Sequence, residues 1–274
     1  MSLDNEALKK AADKIRINII RAVYSAGSGH PGGSLSAADI LTVLYFNEMN
    51  IDPANPKMEG RDRFVLSKGH ATPAIYSTLA ERGFFPAEDL LTFRRMGGKL
   101  QGHPDMVKVP GVEMSTGSLG QGISASVGMA LADRLDKNPA RVFALLGDGE
   151  LQEGLVWEAF MAAAHFKLDN LIAIIDWNGL QIDGKNDDVM CVAPIEDKLR
   201  SFRWETVVID GHDFDAISGA FSKIGAVKDK PLAIIAKTIK GKGVSFMEND
   251  YGWHGKAPNE EQARQAIAEL GGEW

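Results

Sequence analysis

Four short apolar runs separated by helix-like stretches restrict this chain more than any other feature of its sequence. They are "RVFALLG" (141–147), "NLIAIID" (170–176), "WETVVID" (204–210) and "PLAIIAKT" (231–238), with "ELQEGLVWEAFMAAAHF" and "DFDAISGAFSKIGAV" as helical segments among them. A strand that is apolar at almost every position is covered on both faces, and such burial belongs to parallel sheets. Alternating strands and helices then join through right-handed crossovers. The expected fold class is α/β, a parallel β-sheet sandwiched by helices. Ligands in such sheets bind beyond the carboxyl ends of the strands, so the residues that follow each run are the ones to read for function.

Upstream, Leu8, Ala11, Ala12, Ile15, Ile19, Ala22 and Val23 recur at helical spacing, and Gly27 ends that helix. A second helix is expected from Ser36 to about Phe46, a short strand at Phe64–Leu66, and a further helix from Ala71 to Arg82. Between the first two helices lies "SAGSGHPGGSLS" (25–36), which reads as a bare loop around one imidazole. Its lack of side chains would let another group come close to the backbone. The 274 residues suit one α/β domain, expected over 1–258, with a helical tail over 259–274.

Net charge is −7 and no basic block is present, which argues against a nucleic-acid partner. Anionic small ligands remain compatible, because glycine amides and one metal ion can hold a phosphate inside an acidic protein. The single cysteine, Cys191, permits no disulfide within the chain and suits a reducing, cytoplasmic compartment. No apolar run approaches the roughly 18 residues that a membrane span needs. The polar start "MSLDNEALKKAADK" also lacks a signal-peptide core.

Two strand ends carry chemistry. The first run is followed by "GDGE", and the second by "DWNGL" 30 residues further on, so Asp148 and Asn178 offer two hard oxygens at neighbouring positions. Mg²⁺ takes one or two protein oxygens of this kind and completes its shell with water and phosphate. Gly147 and Gly149 would let a diphosphate approach, helped by the amino terminus of the next helix. The bland reading is a tight turn with Asp148 capping a helix. Five of the six histidines adjoin a glycine, in "SGHPG", "KGHA", "QGHPD", "DGHD" and "WHGK". Imidazoles in glycine turns suit a pocket that binds hydroxyls and oxyanions and moves protons near neutral pH. His165 lies in a helical run and reads as structural, and His212 as a helix-entry turn residue.

The segments "SGHPGG", "DRFVLSKGHA", "GHPD", "TGSLGQGISASVGMA", "GDGELQEG", "NLIAIIDWNGLQIDG" and "WHGKAP" resemble transketolase in order and spacing, from near the start of the chain to about Pro258. The departures are Trp177, where the thiamin motif often has a first Asn, and Ser118, where many family members have Pro. The resemblance implies the diphosphate-binding (PP) fold of thiamin diphosphate enzymes. It implies a metal site of Asp148, Asn178 and the Leu180 carbonyl for Mg²⁺, or Ca²⁺ or Mn²⁺ in its place. It implies cofactor contacts from His70, Gly117, Leu119, Gly147, Gly149 and Asn178, and catalytic imidazoles at His30, His103 and His254 around the sugar oxygens. Glu153 and Glu158 are implied at a subunit contact, Glu153 facing the partner's catalytic glutamate.

In transketolases that glutamate belongs to a pyrimidine-binding domain, which is not recognisable here. The sequence is therefore either part of a longer transketolase or, as the preferred reading, looks like the amino-terminal subunit of a split one. The expected partner is a carboxyl-terminal subunit carrying the pyrimidine-binding domain, in an α2β2 heterotetramer. The implied reaction is transfer of a two-carbon ketol unit from a ketose phosphate to an aldose, as in the pentose phosphate pathway, with no turnover by this chain alone. The sugar stays open among pentose phosphates, branched sugar phosphates and sulfo-sugars. Arg94 and Arg95, just upstream of His103, read as surface charge or as sugar contacts. The alternatives are a deoxyxylulose-phosphate synthase, which should lack "LQEG" and "SGHPGG", and a non-catalytic thiamin diphosphate-binding module.

Overall fold

The computed structural model describes every residue except Met1 and Val227. Helix α1 (Asn5–Ala26) stops at Gly27, and α2 (Pro31–Ser36) and α3 (Ala38–Val43) follow at once. Strand β1 (Arg63–Leu66) leads through a 3₁₀ turn into α4 (Thr72–Arg82), and α5 (Gln121–Leu135) precedes β2 (Val142–Gly147). Next come α6 (Gly154–His165), β3 (Leu171–Trp177) and a small hairpin of β4 (Leu180–Gln181) and β5 (Gly184–Lys185). The chain continues through α7 (Asn186–Val189), α8 (Ile195–Ser201), β6 (Glu205–Asp210), α9 (Phe214–Phe221), β7 (Leu232–Lys237) and α10 (Glu260–Glu269).

Five strands form one parallel sheet in the order β1-β2-β3-β7-β6. The continuous apolar character of its central strands has a direct cause. Phe143, Leu145, Ile172, Ile174, Leu232 and Ile234 enter the core shared with α1, α3, α4, α9 and α10. The alternate residues Val142, Ala144, Leu146, Ala173, Ile175 and Ile235 enter a second core under α5, α6 and α8. Each fully buried aliphatic side chain contributes about 1.5–3 kcal/mol relative to exposure. Edge strand β6 has one buried residue, Thr206, and then alternates half-buried Val207 and Ile209 with exposed Val208 and Asp210, as expected of a strand with a single neighbour.

Three elements depart from the spacing. Residues 25–36 are not a loop throughout, because Pro31–Ser36 is helical and wholly buried, with Pro31 in its first turn and His30 at the N-cap. Gly32 is small because a Cβ there would lie 2.9 Å from the Trp253 carbonyl and about as close to the Lys240 stem. The bareness thus admits other parts of the chain. The segment "ELQEG…" is a 3₁₀ turn (Gly149–Gln152) before α6 begins at Gly154. The expected helix over "DFDAISGAFSKIGAV" spans Phe214–Phe221, and its last residue, Val227, lies outside the described residues.

Candidate active site

The ends of β1, β2, β3 and β7 meet along the carboxyl edge of the sheet, tied together by Asp176. This carboxylate is fully buried at the end of β3. Its oxygens accept hydrogen bonds from Ser36 Oγ at 2.6 Å, from Lys68 Nζ and from Thr238 Oγ. Lys68 also donates to the Gly33 carbonyl at 2.7 Å, which fixes α2 over the strand ends. Burial alone would raise the Asp176 pKa, but Lys68 and the two hydroxyls more than reverse it and hold the group below its ordinary value.

Asp148 sits one residue beyond β2 and is 2 % exposed. Its Oδ1 accepts from the Gly149 N–H at 2.9 Å and its Oδ2 from the Gly179 N–H at 2.5 Å. Burial and the neighbouring Asp176 raise its pKa to about 6. Among the described residues it forms no ion pair with Lys, Arg or His, so a buried negative charge is left for a cation to balance. Asn178 Oδ1 accepts from the Leu180 N–H at 3.1 Å, and the Leu180 carbonyl accepts from Lys240 Nζ at 3.0 Å. No group of three or more His, Cys, Asp or Glu is arranged for a metal among the described residues. One carboxylate with amide and carbonyl oxygens is instead the donor chemistry of a hard cation such as Mg²⁺.

Glu150, which the sequence reading did not single out, organises the loop that leads into α5. Buried to 2 % exposure, it accepts from Ser67 Oγ at 2.5 Å, from the Gly120 N–H at 2.8 Å and from the Gly147 N–H at 3.1 Å. Gly147 and Gly149 therefore direct their amides at Glu150 and Asp148. Gly69 has to lack a side chain because its Cβ would lie 2.6 Å from the Gly117 nitrogen. That contact puts His70 beside the loop holding Gly117 and Leu119. Half-buried Leu119 and exposed Ser118 lie just ahead of Gly120, the N-cap of α5.

His30, His70 and His254 converge over this floor, with ring centroids 5.1–5.4 Å apart. His103 stands at the exposed rim, 3.1 Å from where a Gly117 Cβ would lie. Burial, then Arg94, His103 and Lys240, push His30 down to about 4. Burial, then Lys240, His30 and Lys68, push His254 down to about 3. Burial, with Lys68 first among the nearby cations, places His70 well below its ordinary value. These imidazoles are neutral at pH 7. Lys240, 2 % exposed, links the two halves of the site by bonding both the Leu180 carbonyl and His254 Nδ1, each at 3.0 Å. Its own pKa falls to about 8 through burial and the charge of Lys68.

Arg94 is more than surface charge, since it donates to Ser28 Oγ at 2.6 Å and lowers the pKa of both His30 and His103. Arg95 is exposed and donates to the Ser25 carbonyl at 2.5 Å. Glu153 and Glu158 are exposed at the start of α6, and the Glu153 Cβ borders Gly120. His165 packs against Phe166 at the end of α6, away from the cluster. His212 lies behind the site and clasps two segments. Its Nε2 accepts from the Ile239 N–H at 2.8 Å, so its Nδ1 donates to Asp39 at 2.8 Å, and Asp39 pairs with Arg16 through both oxygens.

A buried carboxylate without an ion pair and a cluster of neutral imidazoles, set beyond the carboxyl ends of parallel strands, occupy the place where α/β domains of this class bind their ligands. Residues 7–273 match the family described as "Transketolase, thiamine diphosphate binding domain". The chain belongs to the transketolase family, within which it forms the thiamin diphosphate-binding domain. It is 46 % identical over 270 residues to the 6-deoxy-6-sulfo-D-fructose transketolase subunit SqwG of Clostridium sp. (strain MSTE9), covering 98 % of both chains. It is 43 % identical over 265 residues to one of the subunits of the apulose-4-phosphate transketolase of Phocaeicola vulgatus, covering 97 % of this chain and 94 % of that one. The crystal structure of Campylobacter jejuni transketolase superposes with a TM-score of 0.92 at 35 % identity, covering 99 % of this chain and 44 % of that one. The chain thus spans about two fifths of the single-chain transketolases it matches and nearly all of two proteins named as subunits.

Proposed function

We propose that this chain is the cofactor-binding subunit of a two-component transketolase that moves a two-carbon ketol unit between sugars bearing a phosphate or sulfonate. The observation that carries the reading is Lys240, which bonds His254 of the cluster of three neutral imidazoles and the Leu180 carbonyl, two residues beyond Asn178. Asp148, Asn178 and the Leu180 carbonyl would hold Mg²⁺, and the Gly117–Leu119 backbone, His70 and Lys240 would receive the diphosphate. When bound, thiamin diphosphate supplies the nucleophilic carbon and the electron sink for breaking a ketose C2–C3 bond.

The chain's own groups then manage protons and charge. Because Lys240 donates to His254 Nδ1, the His254 proton resides on Nε2, which makes that atom a donor to a sugar oxygen. Neutral His30 and His103 can donate through one ring nitrogen and accept through the other, which suits hydroxyls that lose and regain protons. Positioned general acid–base groups typically contribute about 10²–10⁴-fold. Two relatives of matching length, one named for a sulfo-sugar and one for a sugar phosphate, support both an anionic sugar and the need for a partner. Glu153 and Glu158 face that partner, in an assembly of two copies of each subunit.

The test is a ketose-to-aldose transfer assay with thiamin diphosphate and Mg²⁺, run on the chain alone and with a candidate second subunit. Turnover is expected in the mixture alone. Asp148→Ala should reduce it by about 10²-fold or more, the scale of several kcal/mol of lost charge stabilisation. Turnover by the lone chain would overturn the two-component reading.

A further inference from the structure

Asn186 opens α7 directly after the β4–β5 hairpin and is 2 % exposed. Its backbone is fully used, with the N–H donating to the Gly179 carbonyl and the carbonyl accepting from the Met190 N–H, each at 2.9 Å. Its side chain is not, because neither Oδ1 nor Nδ2 has a hydrogen-bond partner among the described residues. Leaving a buried polar group unsatisfied destabilises the folded state. Such a group in a folded protein calls for an explanation, often a function. An apolar residue of the same shape would fill the space without that cost.

The surroundings supply the explanation. A Cβ built on Gly149 would lie 3.6 Å from Asn186 Oδ1, so the carboxamide runs alongside the peptide that follows Asp148. The Asp148 carboxylate accepts the N–H of that same Gly149 at 2.9 Å, so carboxamide and carboxylate flank one turn. No hydrogen bond of proper geometry joins them, although the Asp148 oxygens, which accept from Gly149 and Gly179, have lone pairs to spare. A primary amide offers one acceptor oxygen and two donor hydrogens. Mg²⁺ bound by one or two protein oxygens keeps several waters, which need acceptors for their hydrogens.

We propose that Asn186 is a positioning residue of the cation centre, its carboxamide bonding a water on the cation and steadying Asp148. This inference rests on the cofactor reading above. Hydrogen-bond partners just outside a metal's own ligands typically change its affinity by about 10–100-fold.

The test uses the full chain and the near-isosteric variant Asn186→Leu, with Asp148→Ala as control. Melting temperature is measured without ligand, and Mg²⁺ affinity by titration calorimetry in saturating thiamin diphosphate. Asn186→Leu should melt higher than the parent without ligand and bind Mg²⁺ about tenfold or more weakly. A purely structural residue would not move the two readouts in opposite directions. Asn186→Ala, read for affinity alone, repeats the test should leucine prevent folding. A higher melting temperature with unchanged Mg²⁺ affinity would overturn the proposal, and so would a lower melting temperature for Asn186→Leu without ligand. If the parent and Asp148→Ala both fail to bind Mg²⁺ with the cofactor, the cofactor reading fails and takes this inference with it.

Discussion

At the scale of single residues, burial decides the charge of the site's imidazoles. His30 and His254 titrate near 4 and 3 in the folded chain, against 6.5 for an ordinary histidine. Between those values and 6.5 the unfolded chain binds more protons than the folded one, so stability falls as pH drops through that window. The denaturation midpoint in urea should be lower at pH 5 than at pH 7, and His254→Asn, which keeps an acceptor for Lys240, should flatten the difference. A midpoint that stayed level would mean that these rings are already protonated in the folded state. The sequence marked these histidines by their glycine neighbours, and Asp148 and Asn178 by their places after apolar runs. It could not mark Glu150 or Asn186. A buried polar group gets its meaning from contacts such as Glu150 with Ser67, 83 positions away, and no local pattern records them.

At the scale of elements, the strands were the most legible part, because burial on both faces demands apolar residues at every step. Helix α2 was the least legible. Pro31, Gly32 and Gly33 are poor helix formers in isolation, yet Ser36 and the Gly33 carbonyl are held by Asp176 and Lys68, and tertiary contact overrides propensity. The link between β1, β2 and the amino terminus of α5 runs through Glu150. Glu150→Gln keeps the shape but turns one acceptor oxygen into a donor, so one of the three donors must lose its partner. Amide exchange at Gly120 or at Gly147, whichever faces the new NH2, should quicken by about tenfold, the scale of one net hydrogen bond. Unchanged exchange at both would show that the loop is held from elsewhere.

At the scale of the whole molecule, the active edge is braced from behind. Arg16 on α1, Asp39 on α3 and His212 after β6 form a chain of contacts ending at Ile239, next to Lys240. The two ring nitrogens do different jobs, so His212→Gln can keep an acceptor for Ile239 and His212→Asn a donor for Asp39. Thiamin diphosphate should bind several-fold more weakly to His212→Asn than to His212→Gln, read by equilibrium dialysis with Mg²⁺. Equal affinities would show that the clasp does not reach the site. The strand order has a further consequence for synthesis. Strand β7 pairs with β3 on one side and β6 on the other, although it comes last in sequence among the five strands of this sheet. A nascent chain that has reached Asp210 holds β3 and β6 with no strand to join them. The sheet closes after the ribosome has delivered Lys237, so until then these strand edges are the chaperones' concern.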